Sequence, residues 1–344
     1  MGRAERIGLM GQIEVERGSS VIAYVTSTRA NREVQMAMDS IRKIFDHLQA
    51  INKPKKELKV DLFLHSNGGD GTVPWRLVTL IREYASKFSV LVPYKAFSAA
   101  TLTALGAQEI VMHRMGMLGP TDPTVMNPFN PPDPKVPGNL IGISVEDVTA
   151  YIALIKEDAG IQHEDELIEG FKLLAEKVHP LALGNVKRSL SQSRMMAKKL
   201  LALHMPKSAD HKIEEIVDSL TSKLFYHGHP INRREARDQI GLRTVIDPST
   251  KLERLMWDLY QEYEAEMKME EPFMQALEFV EQFPDAPPPG GQITPERTAT
   301  LAYIESANHA DVFRQAYQIR GTPHPSGGVQ TAVLTVRSGW TREE

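Results

Sequence analysis

Four short segments of this chain combine residue types that can do chemistry. The first is His65-Ser66-Asn67-Gly68-Gly69-Asp70. It follows an apolar run and precedes residues at helical spacing. Paired glycines let a backbone turn sharply and expose its N–H groups, which can bind a phosphate or a developing oxyanion. A plain strand-to-helix turn would use the same glycines. No Gly-Lys-Ser/Thr follows, so this is not a P-loop, and without G-x-G-x-x-G it is not a dinucleotide fingerprint. The second segment is Tyr94-Lys95-Ala96-Phe97-Ser98-Ala99-Ala100-Thr101. Here a serine sits where a helix begins, and the small residues after it let another backbone come close. Such a serine is either a helix cap or a nucleophile assisted by the N–H of Ala99. The third, Leu118-Gly119-Pro120-Thr121-Asp122-Pro123, offers a carboxylate that either shapes a turn or orients a base near Ser98. The fourth is Phe225-Tyr226-His227-Gly228-His229-Pro230-Ile231. Its two histidines could be surface residues, metal ligands or a catalytic base. A metal would need a third ligand to which the sequence does not point.

The elements around these segments alternate. Strands are expected at Val21–Val25, at Val60–Leu64, at Phe88–Val92 and at Glu109–Met112. Helices are expected at 31–51, from Trp75 to Tyr84 and at 98–105, which argues for a largely parallel sheet with crossover helices. Gly119–Gly138 is rich in Pro, Asn and Asp and reads as loop. Helices follow at 144–158, 163–177, 185–204, 209–225 and 232–240, then a strand at Arg243–Ile246. Leu255, Leu259, Tyr263 and Met267 suggest one long helix over 251–282. Asp285–Gly291 reads as a proline linker. The tail beyond it is expected to hold a helix at 301–318 and a strand at Val329–Val336.

Composition excludes several classes. Lys+Arg 40 against Asp+Glu 44 gives a net charge of −4, which offers no global attraction for nucleic acid or anionic lipid. With no cysteine there are no disulfides, thiolate nucleophiles or cysteine metal sites. No stretch is apolar enough for a membrane span, and Met1–Gly18 lacks a signal-peptide core. A cytoplasmic protein is expected.

Taken in order, the four segments resemble the serine dehydrogenase proteinase family of the ClpP/crotonase superfamily, related to Clp protease and signal peptide peptidase A. The family's His-Thr-Pro-Gly-Gly turn is matched by His65–Gly69. Its Pro-x-x-Ala-Met-Ser-Gly-Gly-Thr segment is matched by Pro93 and Ala96–Thr101. Ile110–Met112 with Leu118–Pro123 match Ile-Val-Met and Leu-Gly-Pro-x-Asp-Pro, and His227–Ile231 match His-Asp-x-Pro-Ile. Asn67 stands where the family has proline, Ala99 and Ala100 where it has glycines, and Thr124 where it commonly has glutamine.

The resemblance spans about residues 15–250 and implies an α/β fold, a ClpP/crotonase-like spiral of β-β-α units with a mostly parallel sheet, here with a helical C-terminal extension. It divides the chain into a catalytic domain (1–250), a long helical extension (251–284) and a proline-rich linker and tail (285–344). It implies a serine peptidase with Ser98 as nucleophile, Asp122 as acid and His227 as base. Gly68, Gly69, Ala99 and His65 would form the oxyanion and substrate site. Other groups compete for the base: His229, His65 itself, or a lysine such as Lys135 or Lys156. Lys95 reads as a solvated strand-end charge. No metal or cofactor is implied. The expected partners are a peptide or protein substrate and further copies of the chain, as a trimer, tetramer or hexamer. The competing readings are a crotonase-type enzyme acting on acyl thioesters, which needs no serine, and a catalytically degenerate scaffold.

Overall fold

The computed structural model describes residues 2–122, 124–134, 138–222, 228–285, 287–288, 290–324 and 327–343. Its elements run α1 (Arg3–Arg17), β1 (Ser20–Thr26), α2 (Asp39–Ile51), β2 (Lys59–His65), α3 (Val73–Tyr84), β3 (Lys87–Val92), β4 (Lys95–Ala96), α4 (Ala99–Leu105), β5 (Glu109–Met112), β6 (Met117–Leu118), β7 (Thr124–Val125) and β8 (Ile143–Ser144). Then come α5 (Val145–Ala153), α6 (Glu164–Lys177), α7 (Pro180–Ala202), α8 (Asp210–Ser222), β9 (Ile231–Asn232), α9 (Arg233–Asp238), β10 (Val245–Ile246), α10 (Thr250–Glu266), α11 (Gln275–Gln282), β11 (Gln292–Ile293), β12 (Arg297–Glu305), β13 (Ala310–Pro323) and β14 (Val329–Glu343).

A nine-stranded sheet in the order β10-β5-β3-β2-β1-β12-β13-β11, with β14 on β13, forms the frame. The five strands from β10 to β1 are parallel. Parallel strands need crossover helices, and those helices cover the sheet. Alternate residues of β2 therefore enter different cores. Val60, Leu62 and Leu64 pack in the core shared with α2, α3, α4, α7 and α8. Phe63 points the other way, to α1 and α10. Pro74 in the first turn of α3 needs no hydrogen-bond donor there and presets the helical φ.

The tail corrects the expected C-terminal arrangement. The helical extension is not continuous over 251–282: α10 ends at Glu266, Lys268 has φ 53°, and α11 starts only at Gln275. The helix expected at 301–318 is two strands, β12 and β13, and the strand expected at Val329–Val336 lies inside the longer β14. β12 pairs antiparallel with β1, Ala23 opposite Glu305, so the tail completes the central sheet. The expected loop at Gly119–Gly138 contains the short β7, paired with β8. The expected helix at 209–225 is α8, and residues 223–225 lie outside the described residues. Helix α1 occupies an N-terminal segment to which no element was assigned from the sequence.

Candidate active site

The three segments that carry the glycine turn, the serine and the aspartate meet at the carboxyl ends of the parallel strands, where open α/β sheets bind their ligands. Ser66, just past β2, bridges to Ala96: its N–H donates to Lys95 O (2.9 Å), and Phe97 N donates to Ser66 O (3.0 Å). A second, three-stranded sheet continues from there. Ala96 of β4 pairs with Leu118 of β6, and Leu118 pairs with Ile231 of β9. This sheet lays the serine turn, the Leu118–Asp122 loop and the segment leading into Ile231 side by side.

Ser98 begins α4 with φ 51° and ψ −113°, and its side chain makes no cap hydrogen bond. A non-glycine residue at positive φ is strained, so the surrounding structure must impose it. Ser98 stands at the cap position of α4, but its hydroxyl is not spent on capping the helix. Gly68 is one cause of the constraint. At φ 99°, a Cβ added there would lie 2.6 Å from Phe97 O and 2.8 Å from Ser98 Cβ. Only glycine lets the turn approach the serine this closely.

The turn is held on its far side by Met36, whose N–H donates to Gly68 O (2.8 Å) and whose carbonyl accepts from Asp70 N (2.9 Å). These bonds flank Gly69, so the N–H of Gly69 itself faces away from Met36. Among the described residues, neither that N–H nor the N–H of Ala99 has a hydrogen-bond acceptor. Behind the turn, the buried Ser66 hydroxyl accepts from Thr26 Oγ1 (2.8 Å) and from Gly68 N (3.0 Å). Sequence reasoning missed Met36, Thr26 and Ser66 as supports. One signal was available for Ser66: the family places a threonine there, which carries the same hydroxyl.

Ser98 and Gly69 open onto a cavity of about 590 Å³ that also reaches Leu102, Thr121 and residues of α7. Asp122, next to Thr121, is buried. The Thr121 N–H donates to Leu220 O (2.9 Å) and fixes this loop on α8.

The candidate bases are dispersed. His65 lies on the opposite side of β2, stacked on Tyr94 with ring centres 6.0 Å apart and tilted against Tyr260 at 4.9 Å. Its Nδ1 accepts from Lys95 N (3.2 Å), which places the ring proton on Nε2, 3.2 Å from Thr28 Oγ1. Burial, reinforced by Lys95, pushes its pKa down to about 3. His65 is thus a neutral core residue facing the tyrosines, not the cavity. The Nε2 of His229 is 2.7 Å from Glu235 Oε1. Lys95 Nζ lies over the Tyr94 ring at 5.1 Å, and Lys156 borders an apolar groove between α5 and α6. His227 and Lys135 lie outside the described residues.

Among the described residues, one cluster has the composition of a metal site: His47, His309 and Asp311. Both nitrogens of His47 are engaged, by Ser306 Oγ (2.8 Å) and Ile304 O (3.0 Å), and Arg342 already pairs with Asp311 (3.0 Å). These contacts describe a structural knot rather than a ligand set.

A largely parallel sheet that presents a strained serine beside a glycine turn agrees with a ClpP-like fold. The chain belongs to the ClpP-like SDH-type serine proteinase family, whose model matches residues 2–182, more than half of the chain. That span includes Gly68, Gly69, Ser98, Ala99 and Asp122 and ends before His227 and His229. The chain is 24% identical over 262 residues to an uncharacterized protein of Methanocaldococcus jannaschii, covering 75% of this chain and 76% of the relative. A second uncharacterized protein of that organism is 22% identical over 260 residues, covering 75% and 79%. The solved structure of a membrane-bound stomatin-specific protease (1510-N, a lysine-to-alanine mutant with a substrate peptide) is 12% identical. It covers 70% of this chain and 99% of that one, with a TM-score of 0.26. Among the described residues, no helix is long and apolar enough to cross a membrane.

Proposed function

We propose that this chain hydrolyses peptide bonds through an acyl-enzyme on Ser98. The observation that carries this reading is the strained Ser98 held against Gly68, with the N–H groups of Gly69 and Ala99 beside it, which have no acceptor among the described residues. In this reading Ser98 Oγ attacks the peptide carbonyl. The oxyanion that forms is bound by the N–H groups of Gly69 and Ala99, a preorganised pair worth most where water is excluded. A base takes the serine proton and returns it to the leaving amine, after which water hydrolyses the ester. By the family's order the base is His227 and the acid Asp122.

The test is labelling of the full chain with a fluorophosphonate probe, with the adduct located by peptide mass spectrometry. The expected result is an adduct on Ser98 that disappears in Ser98→Ala, together with a fall in peptide hydrolysis of about a thousandfold or more. A folded protein that gives no adduct at any pH between 6 and 9 overturns the reading and brings acyl thioester substrates forward.

A further inference from the structure

The cavity beside Ser98 has walls of largely one chemical kind. Asn67 and Asp70 come from the glycine turn, Thr72 from the start of α3, Gln35 from the segment that braces the turn, and Ser189 and Gln192 from α7. Leu102 is the single apolar side chain among the described lining residues, and Asp70 the single charged one. Asp70 Oδ1 accepts from the Thr72 N–H (2.8 Å) and from Thr72 Oγ1 (2.7 Å). Among the described residues, Oδ2 carries no such bond.

We infer that this cavity takes the side chain of the residue whose carbonyl Ser98 attacks, and that it selects polar, hydrogen-bond-donating side chains: lysine over glutamine, and both over leucine or phenylalanine. The inference rests on the peptidase reading above. The N–H of Gly69 fixes where the carbonyl oxygen must sit, and both Gly69 and Ser98 border the cavity. The substrate's Cα is one bond from that carbonyl, so its side chain has the cavity in front of it. An aliphatic side chain there would gain little, because Asn67, Gln35 and Gln192 are exposed polar groups and Leu102 is the single apolar side chain among the described lining residues that it could pack on. An ammonium brings three donors to a wall that offers amide oxygens, hydroxyls and one carboxylate. No cation lines the cavity among the described residues, so nothing there offsets the charge of Asp70.

The experiment uses peptidyl diphenyl phosphonates that differ only in the residue next to phosphorus, as lysine, glutamine, leucine and phenylalanine analogues. Rates of adduct formation on Ser98 of the full chain are read by intact mass. A non-selective fluorophosphonate run in parallel reports whether Ser98 is nucleophilic at all. The lysine and glutamine analogues should react about tenfold faster or more than the leucine and phenylalanine ones. Lysine should exceed glutamine about threefold, the range of a solvent-exposed ion pair. Asp70→Asn keeps the turn-capping oxygen and should bring the lysine-to-glutamine ratio close to one. If the fluorophosphonate reacts but leucine or phenylalanine is preferred, the selectivity is overturned while the peptidase reading stands. An unchanged ratio in Asp70→Asn overturns the role of Asp70. If the fluorophosphonate gives no adduct on folded protein, both readings fall together.

Discussion

Just past β4, Ser98 holds a strained backbone, and two neighbouring N–H groups have no acceptor among the described residues. Where β12 joins β1, the fully buried Glu305 is saturated with partners. Its Oε2 accepts from Arg6 Nε (2.7 Å) and from the Tyr263 hydroxyl (2.7 Å), and the Arg6 guanidinium lies 4.7 Å from the centre of the Tyr303 ring. Beside it, His47 ties α2 to Ile304 and Ser306 and stacks on His309 with ring centres 3.9 Å apart. Most buried polar groups in proteins are paired, and strain persists only where the fold imposes it. The contrast separates a proposed site, whose donors have no acceptor among the described residues, from a tail seam that pairs most of its buried groups, although Arg3 Nε and His309 Nε2 carry no hydrogen bond there.

If the seam is support alone, breaking it should lower stability and leave the chemistry of the folded molecules intact. Glu305→Ala strips the buried Arg6 of its carboxylate, and an uncompensated buried charge costs about 3–5 kcal/mol. Urea unfolding should show a loss of that size, while the labelling rate of Ser98 per folded molecule stays as in the wild type. A labelling rate that falls in parallel with stability would show that the seam also shapes the site and would break the comparison.

Acid should attack the same seam more gently. Burial, with His309 as a second cause, pushes the pKa of His47 down to about 3, and His309 is itself lowered by burial and by Arg342. Asp311 and Lys43 also face this pair. The unfolded chain takes up these protons near pH 6.5, whereas in the folded chain His47 takes one up only near pH 3 and His309 below its ordinary range. Unfolded molecules therefore bind more protons across that window. Stability is full above pH 6.5 and is lost as pH falls through it. The unfolding midpoint should already drop between pH 6.5 and pH 5, before most carboxylates titrate. His47→Gln should flatten that part of the curve; an equally steep curve in the variant would acquit His47.

The two regions also differ in how far the sequence discloses them. β2, the glycine turn and α3 are readable because alternation gives way to a Gly-Gly pair and then to helical spacing. The tail misleads because Leu301–Glu305 is buried on both faces, so alternation vanishes and the spacing of Leu301 and Ile304 imitates a helix. The spacing of Leu255, Leu259, Tyr263 and Met267 is real, but nothing in it marks the stop after Met267, where Phe273 N bonds to Ala30 O (3.0 Å). At the site, the residue types were legible and the assembly was not. β4, β6 and β9 have two residues each, too few for any periodicity, yet their register sets Ala96, Leu118 and Ile231 side by side. His65 reads as a site residue if its strand neighbours the one leading to Ser98, and the two segments do meet. A strand turns successive side chains to opposite faces, and that sends His65 away from Ser98.

The smallest expected effect sharpens the comparison most, because it lies on the catalytic side yet concerns a satisfied group. The Ser66 hydroxyl is the acceptor for both Thr26 Oγ1 and the Gly68 N–H, and all three residues are buried. Ser66→Ala leaves two buried donors without that partner, which should lower stability by about 1–2 kcal/mol. It should also free the Asn67–Gly68 peptide, whose N–H the hydroxyl holds, so that Gly68 shifts and the N–H of Gly69 no longer meets the proposed oxyanion squarely, although Met36 still binds Gly68 O. Fluorophosphonate labelling of Ser98 should then slow about tenfold, a fraction of what loss of a whole oxyanion donor costs. Ser66→Thr, which keeps the hydroxyl, should restore both quantities. If Ser66→Ala loses stability but labels at the wild-type rate, Met36 alone aligns the turn, and the hydroxyl belongs with the supports of the seam rather than with the site.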